Sequence, residues 1–207
     1  MLTPTVLLML KAPIEGAVKT RLGCEIGAAL ATKAYRRLVE HQLRQVPAGW
    51  PIHICYAPVG AEGIFREWLG EDLRYTAQAE GDLGARLSRS ADEHFRNSAS
   101  PLIILGGDCP YLTTERLQDA AAALTGTDAV LVPALDGGYC LIGLRVGEGH
   151  LFSAITWSTG TVLAETRERL RERGLPWVEL AALEDVDDAA SWARATRVFP
   201  HLSQSAL

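Results

Sequence analysis

Residues 101–105 read Pro-Leu-Ile-Ile-Leu and run straight into Gly106-Gly107-Asp108-Cys109-Pro110. An apolar run so short and continuous, closed by glycines and a proline, is a strand buried on both faces, and such strands belong to parallel sheets covered by helices. Residues 5–10 repeat the pattern ahead of a loop holding Pro13 and Gly16. Residues 26–45 then place apolar or small residues at helical spacing (Leu30, Ala31, Ala34, Leu38, Val39, Leu43), with Arg36, Arg37, Glu40 and Arg44 on the other side.

The alternation continues. Further strands are predicted over 52–56, 73–77, 129–132, 139–144 and 177–180, and further helices over 63–69, 83–95, 114–124, 161–173 and 188–197. Thr113 is the expected N-cap of the helix at 114, and Gly174 with Pro176 the stop of the helix over 161–173. The fold class expected is α/β: a three-layer α/β/α sandwich with a mostly parallel, mixed sheet, in a single domain over residues 1–207. At 207 residues with 48% hydrophobic and 22% charged side chains, the chain can bury a core of its own without disulfides or structural metals.

Composition excludes several partners. Cys24, Cys55, Cys109 and Cys140 form no C-x-x-C pair, and no clustered histidines complete a zinc site, so they read as reduced thiols of a cytoplasmic protein. A net charge of −5 without any Lys/Arg run argues against nucleic acid. The first apolar run is too short for a signal core or a transmembrane segment. Oligomeric state is not encoded in any of these features.

Ligands of such sheets bind beyond the carboxyl ends of the strands. Lysine is scarce, three residues against 17 arginines, yet Lys11 and Lys19 fall in one stretch, 11–21, that ends at Arg21. A small ammonium suits a phosphate oxygen in a tight loop, and a strand-to-helix loop already favours anions. A solvated basic loop is the plain alternative. The stretch is neither a P-loop nor G-x-G-x-x-G, so a dinucleotide cofactor loses its main support. Asp108 stands at the carboxyl end of the clearest strand beside Gly106 and Gly107, which let a ligand approach; it suits Mg²⁺ or Mn²⁺, or else a turn or cap. Asp136-Gly137-Gly138-Tyr139 is by itself a hairpin turn signal. Glu80 and Asp82 compensate a helix dipole, and Ser158 or Thr159 can cap the helix after Trp157. In Glu184-Asp185-Val186-Asp187-Asp188, Asp188 reads as a cap, while Asp185 and Asp187 are open to a metal. The five histidines are isolated and form no triad with Ser or Cys.

Taken in order, K-A-P-x-x-G-x-x-K-T-R-L, Q-x-x-G-D-L-G-x-R, G-G-D-C-P, D-G-G-Y-x-L-I-G-L, W-S-T and D-V-D cover Leu7 to Asp188. Together they resemble a bacterial family of glycosyltransferase-like proteins, nucleotide-diphospho-sugar transferases of GT-A fold, some of whose members are linked to arsenosugar biosynthesis. The resemblance implies a nucleotide sugar donor, a small-molecule acceptor and a divalent ion. Lys11, Lys19 and Arg21, with Gly106 and Gly107, would then meet the donor phosphates. Asp108 would hold the metal, with Asp185 or Asp187 as second ligand because Gly-Gly-Asp is not a full Asp-x-Asp. Gly137, Gly138, Tyr139, Trp157, Ser158 and Thr159 would line the acceptor side, and Asp136, ahead of Asp187, would be the catalytic base. The first loop is also similar to that of 2-phospholactate guanylyltransferases and, more distantly, molybdenum-cofactor nucleotidyltransferases. Nucleotidyl transfer from an NTP is thus the second expectation, and a non-catalytic nucleotide-sugar binder the third.

Overall fold

The computed structural model describes residues 3–203. Seven strands form one mixed sheet: β1 (Thr5–Lys11), β2 (Ile52–Ala57), β3 (Arg74–Ala77), β4 (Leu102–Leu105), β5 (Ala129–Pro133), β6 (Tyr139–Leu144) and β7 (Trp177–Glu179). Their order is β3-β2-β1-β4-β6-β5-β7, with β6 alone antiparallel to its neighbours β4 and β5. The three-layer α/β expectation holds.

Both faces of the central strands are buried, which is why they read as unbroken apolar runs. Val6, Leu8 and Leu10 pack with Ile103 and Leu105 on one face, under α2 (Ala28–Gln45), α3 (Glu62–Leu69) and α5 (Thr114–Ala123). Leu7, Leu102 and Ile104 point to the other, under α4 (Leu83–Asn97) and α6 (Val162–Glu172). In register, Leu8 lies between Ile54 of β2 and Leu105 of β4. Among the described residues no helix is long and apolar enough to cross a membrane.

The helix expected over 26–45 is α2, two residues shorter at its start, and a separate short helix that the sequence did not announce precedes it. A seven-residue α1 (Thr20–Ile26) ends at Gly27, whose φ of 91° breaks the helical path before α2 begins. The inward stripe of α2 runs through Ala31, Ala34, Tyr35, Leu38, Val39 and Gln42. Leu30 falls off it and is 55% exposed, because the apolar count ignored the polar residues that also face inward. Gln42 donates to Leu112 O, and His41 is bonded through one ring nitrogen to Pro110 O and through the other to His201, each at 2.9 Å. These two histidines are therefore a structural pair and not isolated. Thr113 caps α5 by accepting from Arg116 N. Asp188 caps α7 (Ala189–Val198) in a reciprocal box with Ser191, as expected.

Candidate active-site cleft

The chain leaves β1 towards β2 and β3 on one side, and β4 adds on the other, so strand order reverses between β1 and β4. Loops diverge there, and a crevice opens beyond the carboxyl ends. A cleft of about 840 Å³ occupies that place. Its lining includes Lys11, Lys19, Arg21, Gly106, Gly107, Asp108, Asp136, Gly138, Tyr139, Trp157, Ser158, Thr159, Asp185 and Asp187. Of the expected site residues, only Gly137 is not on the wall.

Each wall has a local cause. The end of β1 is held by Tyr35 of α2, whose hydroxyl donates to Lys11 O at 2.9 Å and accepts from Lys11 N at 3.1 Å. Burial pushes that hydroxyl well above its ordinary pKa, so it stays a neutral phenol. The Q-x-x-G-D-L-G-x-R segment braces the same strand end: Gln78 donates to Leu10 O and Cys55 O, and Arg86 donates to Gly81 O and Gln78 Oε1. Asp82 is the cap of α4, accepting from Ala85 N.

The carboxylates converge through backbone pairing. Val186 N donates to Asp108 O at 2.9 Å, tying the loop after β4 to the segment before α7. Val186 is fully buried, and the side chains on either side of it, Asp185 and Asp187, turn to the cleft. Asp108, Asp185 and Asp187 thereby bring carboxylate oxygens within 4.8 Å of one another. Burial, followed by the like charges of Asp108, Asp187 and Asp136, pushes the Asp185 carboxyl up to about 6.

Lys19 reaches into this cluster. Its ammonium donates to Asp108 Oδ2 at 3.2 Å and Asp187 Oδ1 at 3.1 Å, with the side chain only 6% exposed. Burial opposes the charge, but the two carboxylates outweigh it and hold the ammonium above its usual pKa. Arg21 takes the remaining Asp187 oxygen, Oδ2, at 3.1 Å from a largely exposed position. Lys11 is exposed at the cleft edge.

Several residues serve the site differently from expectation. Gly107 lines the cleft and has a second role: a β-carbon there would run into Val39 and Leu10, so the missing side chain lets the strand end close onto β1 and α2. At Gly106 a β-carbon would lie 2.8 Å from Asp108 Oδ1, and its absence leaves room for that carboxylate. Asp136 does form the hairpin turn, accepting from Gly138 N at 2.9 Å, while also lining the cleft. Neither Ser158 nor Thr159 caps α6. Ser158 has φ 64°, Thr159 donates to Thr156 O, and Thr161 occupies the N-cap position. Trp157 packs edge-on against Tyr139 and over Gly84, where any β-carbon would strike the indole.

Gly137 has φ 92°, and a β-carbon there would collide with the Gly160 carbonyl of the loop before α6, against which Gly137 is held by Leu163 N donating to its carbonyl. Gly137→Ala is accordingly expected to destabilise the fold by about 3 kcal/mol, combining overpacking with left-handed strain. Denaturant unfolding measures it, and a loss below about 0.5 kcal/mol would show that the two loops part freely.

Sequence reasoning missed the apolar end of the cleft, built by Met9, Leu83, Leu87, Ile104 and Ile142. Leu83 and Leu87 share the inward stripe of α4, and nothing in their spacing marks where that stripe emerges from under the core.

Residues 39–159 match the family described as "Uncharacterized protein conserved in bacteria (DUF2064)". A "putative nucleotide-diphospho-sugar transferase" of Desulfovibrio desulfuricans G20 is 32% identical, with a TM-score of 0.90 over 98% of this chain and 90% of that one. The fold is shared at 12% identity with CMP:2-keto-3-deoxy-manno-octonic acid synthetase solved with CTP, at a TM-score of 0.61 over 96% of this chain and 99% of that one. Rv0371C of Mycobacterium tuberculosis H37Rv, solved with manganese, is 16% identical, with a TM-score of 0.55 over 94% and 99%. No curated protein matches the chain.

Proposed function

The chain belongs to the bacterial DUF2064 family, and from that premise we propose that it is a metal-dependent transferase that moves a sugar from a nucleotide diphosphate to a hydroxyl of a small-molecule acceptor. One observation carries the reading: cations from the first loop and three carboxylates from two distant segments converge on one cleft at the strand-order reversal. The description of the 32% identical protein supports the same substrate class.

The residues fit a divalent ion. Three hard oxygen donors with few protein ligands suit Mg²⁺ or Mn²⁺. The Asp185 carboxyl is raised first by burial and then by the like charges of Asp108, Asp187 and Asp136, and a cation would relieve the second of these. Asp108 with Asp185 and Asp187 would hold the ion, and the ion when bound would offset the charge of a diphosphate leaving group.

The chain's own groups do the rest. Lys11, Lys19 and Arg21 bind diphosphate oxygens, and Trp157, Ser158, Thr159, Gly138 and Tyr139 bound the acceptor side. Asp136 keeps one carboxylate oxygen free of its turn to take the acceptor proton. As the acceptor oxygen bonds to the anomeric carbon, the bond from that carbon to the diphosphate breaks and the nucleoside diphosphate departs.

Nucleotidyl transfer is the second reading, favoured by Gly-Gly-Asp in place of Asp-x-Asp at β4 and by a fold in common with a synthetase solved with CTP. Products separate the two. Incubation with candidate donors and acceptors is expected to release nucleoside diphosphate. Pyrophosphate released from an NTP and a phosphorylated acceptor would establish the second reading, and saturable donor binding without either product would leave a nucleotide-sugar binder.

A further inference from the structure

Resting on the reading of the cleft as a metal and diphosphate site, we infer that the Lys19 ammonium is a built-in rival of the divalent ion, lifted off the carboxylates when polyphosphate binds, so that each ligand favours the other. Lys19 holds one oxygen each of Asp108 and Asp187, two of the three carboxylates that would hold the ion. Arg21 holds the second oxygen of Asp187, which leaves that residue with both oxygens engaged by the protein.

Charge balance sets the direction. With Lys19 and Arg21 in place, three carboxylates have already been largely neutralised. A divalent ion added to this arrangement makes the cluster net positive, and a buried ammonium a few ångströms away repels it in a medium where screening is weak. The ion alone therefore competes with Lys19. A diphosphate changes the sign of the problem, since its oxygens offer the ammonium an alternative partner and restore negative charge around the ion. The same loop supplies Lys11 and Arg21 to draw that anion, and all three line the cleft beside the carboxylates.

A plain structural tie would act in the opposite direction. If Lys19 only gathered the carboxylates, removing its charge would scatter them and weaken the metal. Lys19→Gln separates the cases, because the amide can still donate to the carboxylates. With Mn²⁺ alone, read by the free-ion EPR signal, Lys19→Gln is expected to bind at least about tenfold tighter than the parent. With inorganic pyrophosphate in the presence of EDTA, it is expected to bind at least about tenfold weaker. Unchanged or weaker Mn²⁺ binding, or unchanged pyrophosphate binding, would overturn the inference.

A second measurement uses the parent protein and so does not depend on the variant folding. The chain has three lysines, and Lys33 is exposed on α2. Saturating Mn²⁺ is expected to raise acetylation of Lys19 by acetic anhydride several-fold relative to Lys33. Equal labelling with and without Mn²⁺ would count against displacement. Mn²⁺ binding that is lost in Asp108→Asn but indifferent to Lys19→Gln would sink this inference and leave the proposed function standing. A parent that binds Mn²⁺ neither alone nor with pyrophosphate would sink both.

Discussion

Asp108→Asn is expected to lower the transferase rate by about 10³-fold or more while leaving the melting temperature within a few degrees of the parent. The side chain stands at the carboxyl end of β4, in space that Gly106 leaves free, and is 39% exposed. Asparagine has the same shape and can keep accepting from Lys19 through its amide oxygen, so packing is conserved. What disappears is one charge out of three in the cluster meant to hold the ion. Charge stabilisation of a leaving diphosphate is worth several kcal/mol, and about 4 kcal/mol corresponds to about 10³-fold in rate. The loss should appear equally in metal-dependent nucleotide binding, titrated with Mn²⁺. A variant that binds Mn²⁺ and nucleotide as the parent does would make Asp108 a turn residue whose carboxylate serves only Lys19. The cluster would then be an ion-pair network that fastens the loop after β4 to the segment before α7.

The strands were legible because burial on both faces leaves continuous apolar runs, and β4, with Leu-Ile-Ile-Leu, is the plainest of them. Caps were legible for a local reason: Thr113 and Asp188 bond to groups three residues on, so their signal lies within one turn. The site was legible as an inventory but not as an arrangement. Lys19 and Asp108 are both conspicuous in sequence, yet spacing could not tell that Lys19 turns inward while Lys11 and Arg21 stay outside. That outcome depends on Val186 pairing with Asp108 across the sheet end, a contact between distant segments. Gly107 shows the same limit from the other side. A glycine beside a strand-end acid reads as room for a ligand, and spacing does not show that its missing side chain also makes room for Val39, from a helix more than sixty residues earlier. The short α1 was not legible because its seven residues bury Leu22 alone, too little for a helical stripe.

Asp136→Asn is expected to lower kcat by at least about 10²-fold with donor affinity nearly unchanged, the signature of a group that takes a proton and binds neither phosphate nor metal. The substitution is well matched to its setting. Asp136 Oδ1 accepts from Gly138 N in a turn that asparagine forms equally well, so the hairpin between β5 and β6 keeps its geometry and Gly138 and Tyr139 keep their places on the wall. Only the basic oxygen is exchanged for an amide that cannot accept the acceptor proton. Steady-state rates at saturating donor, set beside donor affinity from calorimetry, read the two quantities separately. Near-parental kcat would return Asp136 to the turn alone and transfer the question to Asp187, whose oxygens Lys19 and Arg21 already hold. Donor affinity falling together with kcat would place Asp136 with the carboxylates it already influences, since its charge is one of those that push Asp185 upward. The cleft would then have four acids on the donor side, and the proton acceptor would have to be sought on the wall formed by Trp157 to Thr159.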